Sequence, residues 1–121
     1  MTGTERGTVV VEFALVLPLV LALLLGLVEV AVVARSEIQL MYAAREGARA
    51  AAASPDTARA VQAAKTALGP AGERAQISVV RPSSVGAMAT VTIRLRHRVA
   101  APLFGGFPIE LAASAAMRVE R

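Results

Sequence analysis

Apolar residues dominate from Thr8 to Ala34, and beyond that point the pattern changes character twice. Phe13 to Val28 is sixteen residues without a charge, about 24 Å as a helix. Extension to Ala34 gives about 33 Å, enough for a hydrocarbon core of roughly 30 Å. Pro18 inside the run leaves the carbonyl of Ala14 without its usual donor, so a mild kink is expected there. From Arg35 to Ala53 the residues still favour helix but become amphipathic. Ile38, Met41, Ala44, Ala48 and Ala51 recur at helical spacing, while Glu37, Arg45, Glu46 and Arg49 fall largely elsewhere. Glu46 and Arg49 are three apart and placed to pair. One helix is therefore expected from about Thr8 to Ala53, with an Ala-rich outer half suited to close packing.

Ser54-Pro55-Asp56 stops this helix and starts another, with Ser54 as cap and Pro55 at the first helical position. Ala58, Val61, Ala64 and Leu68 would form the apolar stripe of the second helix, and Gly69-Pro70 would end it. The pattern then switches to alternation. Ala75–Arg81 reads as a short strand with Ile77 and Val79 on one side. In Met88–Ala100, Val91, Ile93, Leu95, His97 and Val99 face one way, and Thr90, Thr92, Arg94, Arg96 and Arg98 the other. After the Pro- and Gly-rich stretch Ala101–Pro108, a third strand puts Ile109, Leu111, Ala113, Ala115, Met117 and Val119 on one face. A hairpin centred near Phe104 would set Arg98 opposite Glu110. The expected fold class is α+β: a long N-terminal helix, a second short helix, and a three-stranded antiparallel sheet covered on its apolar face by helix. The boundaries expected are residues 8–34 for the membrane segment, 35–53 for its extension and 54–121 for a small domain.

Composition narrows the chemistry. The 121 residues include no Cys and one His, so neither a disulfide nor a metal-ligand cluster is available. His97 falls on an apolar strand face and reads as a structural histidine. Ser83-Ser84 has no His or acid in its sequence context to suggest a nucleophile, and Gly105-Gly106 is followed by neither a helix nor a Lys, as a phosphate loop would require. The chain is read as non-enzymatic, with no cofactor and no small-molecule substrate. From Arg35 onward there are twelve basic against six acidic side chains, a balance that reads first as a solvated basic face and otherwise as a surface for nucleic acid or anionic cell-wall polymers. With three Phe, one Tyr and no Trp, surfaces for stacking bases are nearly absent, which speaks against nucleic acid.

Two acids interrupt the apolar stretch. Glu12 lies between Thr8–Val11 and Phe13–Val28, where a carboxylate is costly and calls for either a partner or a headgroup position. Glu29 is close enough to Arg35 to mark the far interface, or else to meet a basic group of a neighbouring subunit. A conventional secretory signal fits poorly: Glu5 and Arg6 cancel, the apolar run is long, and the nearest cleavage candidate, Val32-Val33-Ala34, follows Glu29. Arg6 and Arg35 flank the segment with little asymmetry, so charge does not set its orientation.

Taken together, ERGTVVVEFALVLPLVLALLLGLVEV, the later YAAREGARAAA and the closing ASAAMRVE resemble the TadE-like proteins of tight-adherence, Flp-type pilus systems. The specific part is residues 5–53, carried by Glu12-Phe13, Pro18 and the signature Arg45, Glu46, Gly47, Ala48 and Arg49. The resemblance implies a pseudopilin whose leader, residues 1–7, is cut by a prepilin peptidase between Gly7 and Thr8. Glu12 would then be the fifth mature residue, the place of the acid that pilins are thought to set against a neighbouring subunit's new amino terminus. Thr8 departs from the apolar or aromatic first residue common in major pilins, and Arg6 is the leader's only basic side chain. Arg45, Glu46, Gly47 and Arg49 are either a helix surface with an internal pair or a contact site for a pilin partner. The implied partners are the peptidase, other pilins and pseudopilins, assembly proteins of the membrane, and the lipid bilayer. The implied location is the bacterial cytoplasmic membrane, single-pass, N-terminus inside and C-terminal domain outside, with incorporation into a surface pilus as a further option. A different function class competes with this: a membrane-tethered module whose Arg94, Arg96 and Arg98 face holds DNA or an anionic surface polymer.

Overall fold

The computed structural model describes residues 3–99 and 106–120, without the side chain of Val99. The hairpin centre near Phe104, the strand residue Ala100, Gly105 and the first two residues lie outside this description. The observed architecture is α+β. Helix α1 spans Gly3–Ala53, helix α2 Thr57–Leu68, and strands β1, β2 and β3 span Gln76–Val80, Met88–Val99 and Phe107–Arg118. A short tight-helical turn, Gly69–Glu73, joins α2 to β1. Contacts divide the chain into two compact units, residues 1–32 and 33–121.

The first unit is the N-terminal part of α1. Helix begins at Gly3 rather than near Thr8, because nothing before Thr8 breaks it and Glu5 sits in the first turn, where an acid complements the helix dipole. It continues through Pro18 without interruption. From Thr4 to Val28 every side chain is exposed. This is a helix long and apolar enough to cross a membrane.

In the second unit, the outer part of α1 and the whole of α2 cover one face of a three-stranded antiparallel sheet ordered β1-β2-β3. The buried stripe of α1 is Leu40, Ala43, Ala44, Gly47, Ala48 and Ala51. Ile38 and Met41, expected in that stripe, are instead exposed. Their greater hydrophobicity gave the wrong phase, since Leu40 is the one large side chain pointing inward and alanines fit either face. In α2 the buried residues are Ala60, Ala64 and Leu68, whereas Ala58 is exposed and Val61 half-buried. The cap of α2 also differs from expectation. Asp56 occupies it, its Oδ1 accepting from the Ala58 N–H at 3.0 Å, while Ser54 Oγ accepts from the Asp56 N–H at 3.3 Å. The shorter reach of Asp56 to the second helical amide leaves Pro55 outside the helix. Gly69 ends α2 at φ 65°, donating its N–H to the carbonyls of Lys65 and Thr66. That left-handed backbone favours glycine.

Among the described residues fifteen apolar side chains are buried, and eight of them are Ala. The largest fully buried side chains are Leu40, Ile93, Val91 and Val119, and Leu68, Leu95 and Leu111 are buried almost as completely. A core of small side chains brings backbones close together, and Gly47 marks one such close approach between elements. A Cβ there would lie 3.1 Å from Val91 Cγ1, 3.3 Å from the Ala60 carbonyl oxygen and 3.3 Å from Ala64 Cβ. One glycine thus lets α1, α2 and β2 meet.

The end of α1 is satisfied by three different donors. Ser54 N donates to the Ala50 carbonyl at 3.1 Å and Glu120 N to the Ala52 carbonyl at 3.0 Å. Arg81 Nε donates to the Ala51 carbonyl at 2.7 Å, a charge-assisted bond to a group that would otherwise lack a partner.

Register corrects one further expectation. Glu110 pairs with Arg96, and Arg98 pairs with Pro108. The ion contact Glu110 makes is diagonal, to Arg94 Nε at 3.8 Å, between exposed side chains. The pairing has slid by two residues from the one expected. Such a shift leaves every side chain on the same face, so alternation is blind to it.

Candidate functional site

Gly7, Thr8, Glu12 and Pro18 all lie in the exposed N-terminal part of α1. Thr8 Oγ1 donates to the Thr4 carbonyl at 3.0 Å, one helical turn back. Gly7 has open space where a side chain would be, so neither crowding nor positive φ requires glycine there. Four residues beyond Thr8, about 6 Å along a helix, stands Glu12. The side chains three and four positions from it are Thr8, Val9, Leu15 and Val16, so its carboxylate shares a face with apolar groups. Among the described residues it has no ion-pair partner within 4.0 Å.

The second candidate region, Arg45 to Arg49, divides by depth. Gly47 and Ala48 are buried in the junction with α2 and the sheet. Arg45 and Arg49 are exposed, and Arg45 Nη2 reaches Met41 Sδ at 3.6 Å. The expected Glu46–Arg49 ion pair is not formed. An exposed pair of this kind gains a few tenths of a kcal/mol at most, which does not hold two long side chains in place. Glu46 is half-buried and lines an open groove between α1 and α2 with Tyr42, Arg59, Gln62 and Thr66. That groove escaped the sequence reading, since it depends on how the helices pack. The signature is therefore part architecture and part surface: Gly47 has a packing reason, and Arg45 and Arg49 do not.

The third region, Arg94, Arg96 and Arg98, is exposed on the face of β2 away from the helices. His97 alternates to the core side and is half-buried. Among the described residues no group of three or more His, Cys, Asp or Glu side chains is placed to hold a metal ion.

The chain thus joins a helix long and apolar enough to cross a membrane to a small α+β unit with exposed charges. Residues 7–49, just over a third of the chain, match the family model described as TadE-like protein, in agreement with the resemblance carried by Glu12, Pro18 and Arg45–Arg49. The match points to a Tad pilus-associated component with other pilus components as partners. Comparison with curated proteins and with solved structures gave no match.

Proposed function

We propose that this chain is a pseudopilin of a Tad, Flp-type pilus: a membrane-anchored, non-enzymatic component cut by a prepilin peptidase between Gly7 and Thr8. The observation that carries this reading is the exposed carboxylate of Glu12 on an apolar helix face, a turn beyond that bond, within a segment that matches the family from Gly7 onward. Cleavage would free an ammonium group at Thr8. The ammonium of one subunit and the Glu12 carboxylate of the next would compensate each other in a medium where either alone is costly. That pairing would register neighbouring helices during assembly. The N-terminus faces the cytoplasm and residues 54–121 lie outside the membrane, with Arg45, Glu46 and Arg49 available to pilin partners.

Mass determination tests this reading on protein extracted from membranes after co-expression with a prepilin peptidase. The expected product begins at Thr8 and holds 114 of the 121 residues. An intact N-terminus, or a cut after Ala34, would overturn the proposal. Glu12→Ala should leave cleavage intact and abolish incorporation into pili.

A further inference from the structure

The sheet has one face turned away from both helices; Val80 and Met88 make one end of it apolar, and polar side chains dominate its middle. Register places Ser78, Thr92 and Ser114 in one row across the three strands, and Gln76, Arg94 and Ala112 in the next. Arg96 beside Glu110 and Arg98 beside Pro108 continue the same face. Two open hollows share Gln76 and Arg94: one is lined also by Arg74, Arg96 and Glu110, the other by Ser78 and Thr92. Together they form a trough beside β2. Arg94 and Arg96 line it about 7 Å apart, and Arg98 follows on the same strand face two residues beyond the lining.

The charge of this trough is in surplus. Glu110 is the one carboxylate lining the hollows among the described residues, and it reaches Arg94. Arg74, Arg96 and Arg98 have no carboxylate within 4.0 Å among the described residues. A row of guanidinium groups, each a planar fork of donors, matches carboxylates repeated along an extended chain. The neutral part of the trough suits hydroxyl groups. Thr92 Oγ1 and Ser114 Oγ lie 3.2 Å apart, and with Ser78 and Gln76 they offer donors and acceptors in a plane. The described side chains of this face include no aromatic ring, so it gives bases nothing to stack on. A second copy of the chain is also a poor fit, because its acids are scattered singly along the sequence.

We propose that this trough binds an extended acidic polysaccharide, a uronate-bearing glycan whose carboxylates meet Arg94, Arg96 and Arg98 and whose hydroxyls meet Gln76, Ser78, Thr92 and Ser114. The inference does not depend on processing at Gly7 or on pilus assembly.

The test uses the full chain in nanodiscs of neutral lipid, with polygalacturonate as probe, and neutral dextran and poly(dT) as comparisons. Polygalacturonate should bind at low salt and dextran should not. R96Q/R98Q removes two cations that have no internal partner. It should weaken binding about tenfold or more and flatten the salt dependence by about one to one and a half log units per log unit of salt. R96K/R98K should recover most of the charge-dependent part. R35Q/R59Q, an equal charge change elsewhere, should bind as the parent does. T92A/S114A should weaken the glycan several-fold and leave poly(dT) unchanged. The proposal is overturned if polygalacturonate does not bind, if R35Q/R59Q loses as much affinity as R96Q/R98Q, or if poly(dT) binds more tightly than polygalacturonate.

Discussion

The two parts of α1 invert the usual relation between hydrophobicity and burial. Between Val9 and Val32 the helix carries Leu, Val and Phe side chains that are exposed among the described residues. Between Leu40 and Ala52 it is mostly alanine, and there it forms the core. Hydrophobicity alone would nominate the first stretch as the interior. Side-chain size tells the two apart. Lipid chains are fluid and accept bulky side chains of any outline, whereas a sheet and a second helix are fixed surfaces that reward small, matched shapes. Small apolar residues thus mark the part packed against protein, and the large ones make a surface of the kind that a lipid phase would accept.

The largest effect that should separate the two parts comes from paired Leu→Ala changes. Leu40 is fully buried and Leu24 about half exposed. Leu40→Ala should cost the outer unit about 2–4 kcal/mol through lost contacts and a cavity. Leu24→Ala should leave that unit's stability unchanged and weaken membrane insertion by only about half a kcal/mol. Pulse proteolysis of the reconstituted full chain reads the first effect, and an insertion assay reads the second. Equal loss of outer-unit stability from both would erase the comparison.

A smaller effect comes from the glycines. Gly47→Leu should destabilise the outer unit by roughly 1–3 kcal/mol, because Val91, Ala60 and Ala64 close in on three sides. Gly26→Leu meets open space and should leave that stability untouched. Gly47→Ala sharpens the point, because relief of the glycine's helix penalty, about 1 kcal/mol, opposes the crowding. A clear gain on Gly47→Ala would show that the three-way junction is looser than these distances imply. The smallest effect belongs to the sheet face that neither helix covers. Glu110→Gln breaks only the exposed contact with Arg94 and should shift stability by less than about 0.5 kcal/mol, which a denaturation midpoint would register as no change.

Much of this architecture was legible before any coordinates, and the failures share a cause. Thr8–Ala34 announced a long apolar helix by its composition, and the alternation over Met88–Ala100 announced the strand described over Met88–Val99. What stayed hidden was phase and register. Alanine carries too little hydrophobicity to say which face of a helix is inside, so Ile38 and Met41 outvoted Leu40 and Ala43. Alternation likewise cannot tell Arg98 opposite Glu110 from Arg96 opposite Glu110. Gly47 could have been guessed as a close approach, although its three neighbours could not. On the candidate site the chain was explicit about Glu12, whose charge is conspicuous against its surroundings. It was silent about the groove beside Glu46 and about the row formed by Ser78, Thr92 and Ser114, because both exist only once separate elements are side by side.

The way the end of α1 is closed has a consequence for the order of synthesis. Val119 fills the core and Glu120 bonds the Ala52 carbonyl, so the outer unit is incomplete until the ribosome has passed residue 120. At typical rates of translation that comes roughly 4–16 s after Leu40 is made. Through that interval the last turn of α1 lacks the bond from Glu120 and the core lacks Val119. A stripe of alanine and glycine around a single leucine presents little bulky apolar surface, so the sparseness that makes the finished core thin also limits what the outer part of the unfinished helix offers to stray chains.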